Sequence, residues 1–174
     1  TTTTQQVSIA NETAVSTTSS GTSAAQATAA ASSSQNQSKY EANVANVASV
    51  AGKMDNRVIA AYQQLGFKLV VDPSVNYSGY FDARSRSITM KQIDDSVYHE
   101  LGHFLAFIAG NVDKTASFQS IFAAEKANVT AFNKAYVTQN ASEYFAESVK
   151  DYILNNASLK SSRPQTYAEI GRAH

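Results

Sequence analysis

Apolar positions are scattered without period up to Ser38 and become strongly periodic from Lys39 onward. Val44, Val47, Val50 and Ala51 fall at helical spacing and predict a first helix. Asp55 is placed to cap a second helix through Val58, Ile59, Tyr62 and Leu65, with Gly66 as its stop. The β-branched run from Phe67 to Val71, closed by Asp72-Pro73, predicts a strand and a turn. Gly79-Tyr80-Phe81 and Ser87 to Met90 predict two more strands joined by the polar stretch Asp82 to Arg86. Ile93 to Ser96 can cap a long apolar helix, Val97 to Ile108, that stops at Gly110-Asn111. Further helices are predicted over about 115–126, 128–136, 141–155 and 165–171. Helices before and after a small central set of strands define the α+β class, in one domain over residues 39–174.

Residues 1–38 differ in kind. Ser, Thr and Ala fill 26 of these positions, Glu12 is the one charge, and there is no aromatic ring. Such a segment cannot bury enough apolar surface to offset its ordering entropy. It reads as a low-complexity tether or stalk, disordered or loosely helical, or as the start of the mature part of an exported protein.

Charge removes some functions from consideration. Fourteen basic residues balance fourteen acidic ones, so nothing electrostatic favours nucleic acid or an anionic membrane. No apolar run approaches the roughly 20 residues that span a bilayer. Cysteine is absent, which excludes disulfides, thiolate metal sites and cysteine nucleophiles. Imidazole chemistry is confined to His99, His103 and His174.

His99-Glu100-Leu101-Gly102-His103 matches the pattern His-Glu-x-x-His on a predicted helix. Four residues apart, the two imidazoles stand one turn apart on the same face and can direct ring nitrogens at one cation. Glu100, beside the first histidine, can reach a water on that cation without taking a ligand position, which is the division of labour of a metal hydrolase. The helix is apolar around them, at Val97, Tyr98, Leu101, Phe104, Leu105 and Ile108, so these polar groups would be costly to bury without a partner.

A catalytic zinc needs a third protein ligand and an open fourth position. Phe104 to Val112 contains neither His nor Asp, and His174 is the last residue, so a carboxylate from a later helix is the economical third ligand. Glu143 and Glu147 stand at i, i+4 in Ala141-Ser142-Glu143-Tyr144-Phe145-Ala146-Glu147-Ser148. One of them can ligate while the other accepts a hydrogen bond from a ligand imidazole, and spacing leaves the roles interchangeable.

His99-Glu-Leu-Gly-His103, followed 40 positions later by Glu143-Tyr-Phe-Ala-Glu147, resembles the anthrax lethal factor catalytic-domain family of zinc metallopeptidases. Small secreted relatives in that family include the Pro-Pro endopeptidases of Gram-positive bacteria. The resemblance spans roughly residues 55–155. It implies a helix-rich, zincin-like domain with a small, mostly antiparallel sheet beside the active-site helix. It also implies Glu143 as third zinc ligand and Tyr136, seven residues earlier, as the group that steadies the oxyanion. A peptide or protein substrate would lie along the 79–90 edge as an added strand. Ser142 stands where relatives that cleave between prolines carry an acidic residue, so that preference is not implied here.

The expectation is a secreted or cell-surface monomer holding one Zn2+ through His99, His103 and Glu143. Glu100 would be the base, Tyr136 the oxyanion donor and Glu147 the support of a ligand imidazole. The alternatives are an inactive toxin-associated binding module of the same fold, or a metal-dependent amidase acting on cell-wall peptides.

Overall fold

A computed structural model describes residues 43–174; the expected tether over residues 1–38 and the boundary at Lys39 lie outside the described residues. The fold is helix-rich α+β, with one four-stranded sheet.

The first expected helix is interrupted. Val44–Ala45 form a short strand, β1, paired antiparallel with the next strand through Val44↔Val70 and Ala45↔Leu69. Only Val47–Val50 is helical (α1), started by the Asn46 side chain, which accepts from the Ala48 N–H at 2.9 Å. Helix α2, Asn56–Gln64, begins at the Asp55 cap as expected and buries Val58, Ile59 and Tyr62. Gly66 ends this segment in the left-handed region, φ 77°, where a Cβ would be strained.

Strands β2 (Lys68–Val71), β3 (Gly79–Asp82) and β4 (Ser87–Met90) fall where the apolar runs placed them. The sheet order is β1-β2-β4-β3. β4 is antiparallel to β3 and parallel to β2, with Ile88 opposite both Phe81 and Leu69. Two of the three pairings are therefore antiparallel, and among the described residues β3 is a free edge. Tyr62 fastens α2 to this sheet: its hydroxyl donates to the Lys68 carbonyl at 2.6 Å and accepts from the Ile88 N–H at 3.1 Å.

Helix α3, Ser96–Ile108, crosses the middle of the domain and buries residues around nearly its whole circumference. Leu101, Phe104 and Leu105 are wholly buried, each worth about 1.5–3 kcal/mol of removed apolar surface. Phe104 meets Tyr62 and Phe67 edge-on, with ring centroids 4.9 Å away in each case. Gly110 and Asn111, at φ 73° and 59°, turn the chain back. A 3-10 turn at Val112–Lys114 leads into α4, Ala116–Glu125, capped by Thr115.

The helix expected over 128–136 is not formed. Lys126–Asn128 is a 3-10 turn, and Val129 is extended (φ −68°, ψ 133°) with its side chain buried in the core. Helix resumes only for one turn, α5, at Lys134–Val137. Helix α6, Ala141–Leu154, is capped by Asn140, whose side chain accepts from the Glu143 N–H at 2.8 Å. Two helices follow instead of one: α7 at Asn156–Ser162 and α8 at Pro164–Ala173. Arg163 breaks them apart at φ −140°, ψ 67°, because the following proline ring disfavours helical backbone in the preceding residue.

Candidate metal centre

The site lies where α3 packs on α6 and β3 passes beside α3. Gly102 sets that packing: a Cβ there would stand 2.7 Å from the Cα and the carbonyl oxygen of Ala146, so the two helices touch main chain to main chain. On α3 the four-residue spacing puts His99 and His103 on the side facing α6, and on α6 the same spacing presents Glu143 and Glu147 in return.

The Glu143 carboxylate reaches both imidazoles. Its Oε1 lies 3.2 Å from His99 Nε2 and 3.3 Å from His103 Nε2, and its Oε2 lies 3.2 Å from His103 Nε2. The two rings are steeply inclined, at 77° with centroids 5.1 Å apart. One donor atom from each of the three residues falls within 4.8 Å of the others, a group able to hold a metal ion. Ligands about 2.0–2.1 Å from a tetrahedral zinc are separated from one another by about 3.3–3.4 Å. The observed nitrogen–oxygen separations match that edge, so the donor set suits zinc in both chemistry and spacing.

Glu147 takes a different position. Behind His99, its Oε1 accepts from Nδ1–H at 2.8 Å, which leaves Nε2 as the nitrogen facing Glu143. The ambiguity left by i, i+4 spacing thus resolves by placement: Glu143 sits between the rings and Glu147 supports one of them. Lys150, one turn further along α6, stands 3.7 Å from Glu147 Oε2.

These contacts shift the titrations of the metal-free cluster. Burial disfavours a charged His99 ring, but the Glu143 and Glu147 carboxylates outweigh it and lift its pKa to about 9. Burial pushes Glu143 upward, yet the hydrogen bonds with His103 and His99 prevail and hold it well below the usual carboxylate range. Glu147 is lowered as well, with burial outweighed by His99 and Lys150. Glu100 goes the other way: burial raises its pKa against the attraction of His99 and His103.

Glu100, His103, Glu143 and Tyr136 border one cavity of about 220 Å³ together with Gly79, Tyr80 and Phe81. A second hollow, of about 140 Å³, continues past Glu100 and Tyr136 toward Ser78, Asn133 and Lys150. Tyr136, on α5, is 54% exposed at the rim shared by both. Burial and the nearby Glu143 charge raise its pKa to about 12, so the phenol keeps its proton at neutral pH. All six residues singled out in the sequence therefore meet in one place. His174 does not; it stacks on Tyr152.

The open edge expected over residues 79–90 is narrower in the fold. β4 is buried at all four positions and flanked by β2 and β3, so only β3 offers an open edge beside the cavity, not the whole span 79–90. Sequence reasoning also missed the cavity wall at Phe81, whose ring lies parallel to His103 within 17° at 6.4 Å. An isolated glycine opening a strand, Gly79, was the available signal that something packs closely there.

An α+β domain with two histidines and a glutamate converging beside a free sheet edge is the class that fold and site define. Residues 83–172, just over half of the chain, match the family model described as anthrax toxin lethal factor, N- and C-terminal domain, and the chain belongs to that family. A search of curated proteins finds no match. The family description covers two domains of the toxin, so membership gives lineage, and activity must be argued from the site.

Proposed function

We propose that this chain is an exported zinc endopeptidase that cleaves a peptide or protein substrate lying along β3. The observation that carries the reading is the convergence of His99, His103 and Glu143 at ligand spacing, with a buried carboxylate, Glu100, bordering the same cavity. Zinc held there would lower the pKa of a bound water toward ~7 and polarise the scissile carbonyl.

The chain's own residues supply the rest. Glu100 is raised in pKa by burial, as suits a group that takes a proton from water and returns it to the leaving amine. Tyr136 holds its proton and stands at the cavity rim, where its hydroxyl can donate to the developing oxyanion. Glu147 fixes the His99 tautomer. The free edge of β3 offers main-chain groups to an extended peptide. Export is supported by membership in a toxin family, and no helix among the described residues is long and apolar enough to cross a membrane.

The test is peptide cleavage by Glu100→Ala protein shown to retain zinc. A fall of about 10²–10⁴-fold in kcat is expected. Undiminished cleavage removes the mechanism. Wild-type protein that binds zinc with four protein ligands and cleaves nothing supports the inactive binding module instead. Cleavage confined to cell-wall peptides supports the amidase.

A further inference from the structure

Strand β3 presents alternate residues to α3. Phe81 lies against the His103 ring, and two positions earlier, on the same face, comes Gly79. A Cβ on Gly79 would stand 2.9 Å from Glu100 Cγ, 2.9 Å from Met90 Sδ and 3.1 Å from Glu100 Oε2. Real Cβ atoms do not approach as closely as 2.9 Å, so a side chain at this position would displace Glu100 and Met90.

Backbone conformation is not the reason for glycine here. Among the described residues the glycines at positive φ are Gly66 and Gly110, and Gly79 is not one of them. Alanine can adopt the Gly79 backbone, and the atoms it would meet are side-chain atoms that can swing aside. The fold therefore tolerates the substitution while the Glu100 carboxylate does not keep its place. That carboxylate is otherwise held by α3, by hydrogen bonding from the Phe81 backbone and by the charges of the two histidines. It is buried and borders both hollows at the centre.

We propose that Gly79 is a positioning residue for the base: its missing side chain is the space in which Glu100 is held against β3, facing the water site. The proposal rests on the endopeptidase reading above and concerns how its base is aimed. A 1 Å error in the placement of a catalytic group costs up to about 10²-fold in rate. The ligands are untouched, since neither imidazole nor Glu143 is among the atoms nearest the missing Cβ.

The experiment uses zinc-loaded protein and a quenched fluorescent random peptide library, then the best peptide found in it. Gly79→Ala is expected to lower kcat by about 10- to 100-fold with KM within about twofold. Zinc stoichiometry and the visible spectrum of the cobalt-substituted protein should not change. In a Glu100→Gln background, where no base remains to be misplaced, adding Gly79→Ala should alter the residual rate by less than about twofold.

An active wild type with an equally active Gly79→Ala variant overturns the assignment. So does a variant that unfolds or sheds zinc, or an equal loss in the glutamine background, because each marks a general structural role. A wild type that holds zinc and cleaves no peptide overturns the endopeptidase reading and this assignment together, which separates the two failures.

Discussion

Helix α6 carries buried polar side chains on two faces, and the two clusters obey different rules. On the face of Tyr144, Ser148 and Asp151, Arg163 donates to Ser148 Oγ at 2.8 Å and to Asp151 Oδ2 at 2.5 Å, and covers the Tyr144 ring at 5.3 Å. The Tyr144 hydroxyl meets Thr166 Oγ1 at 2.6 Å, and Thr166 donates from its side chain and main chain to Glu125 Oε1 at 2.7 and 2.9 Å. These groups satisfy one another at short range and enclose the start of α8. On the face of Glu143 and Glu147, the Glu143–imidazole contacts stretch to 3.2–3.3 Å and converge on a point that opens to a cavity. In the first network the groups satisfy one another; in the second, three donors face a shared centre and form a group that could hold a metal ion.

The contrast can be broken by removing one member from each cluster. His103→Ala should abolish binding of the single zinc and all zinc-dependent cleavage, measured by metal analysis and peptide assay, while leaving a folded protein. Arg163→Ala should do the reverse. It leaves Asp151 without its partner and costs about 3–5 kcal/mol in denaturant unfolding, with zinc stoichiometry intact in the folded fraction. Zinc loss in Arg163→Ala at temperatures where the protein is still folded would erase the distinction.

A finer cut separates the ligands from their support. Glu147→Ala should weaken zinc affinity by about 10- to 100-fold without changing stoichiometry at saturation, as read by chelator competition. No change would show that the 2.8 Å contact to His99 is incidental.

Acidity sharpens the picture further. In metal-free protein the raised His99 contributes stability that is full below its ordinary value of 6.5 and lost as pH rises through about 9. The lowered Glu143 contributes stability that is full above its ordinary value of 4.5 and lost as pH falls through its depressed folded value. The Tm of chelator-treated protein should therefore be highest between those two ordinary values and decline toward pH 9. Saturating zinc should remove the alkaline decline, because the cation replaces the proton. An unchanged alkaline limb with zinc would place the metal elsewhere. The smallest effect is expected from Asn140→Ala, which deprives α6 of its cap at a cost of about 1 kcal/mol, with zinc affinity nearly unchanged.

Much of the site was legible because both of its motifs are local. Four-residue spacing on an apolar helix fixes a shared face before any tertiary contact exists, and α3 and α6 are long enough to be set by their own periodicity. What could not be read is what depends on distant partners. Val44 joins a strand because Val70 lies opposite it, and Val129 leaves helix for the core. β2 pairs in parallel with β4 although β3 comes between them in the chain. The break at Arg163 was visible in Pro164, but the helix before it was not, since Asn156–Ser162 shows little apolar periodicity. Which glutamate sits between the two imidazoles needed the third dimension outright.

The main-chain contact between Gly102 and Ala146 gives the centre a particular kind of vulnerability. Because glycine brings α3 onto the Ala146 main chain at that crossing, the separation of the two helices is a fixed gauge. Adding a single methyl at Gly102 would push the histidine pair and the glutamate apart together. Drift at one chemically inert position would therefore disturb all three candidate ligands at once.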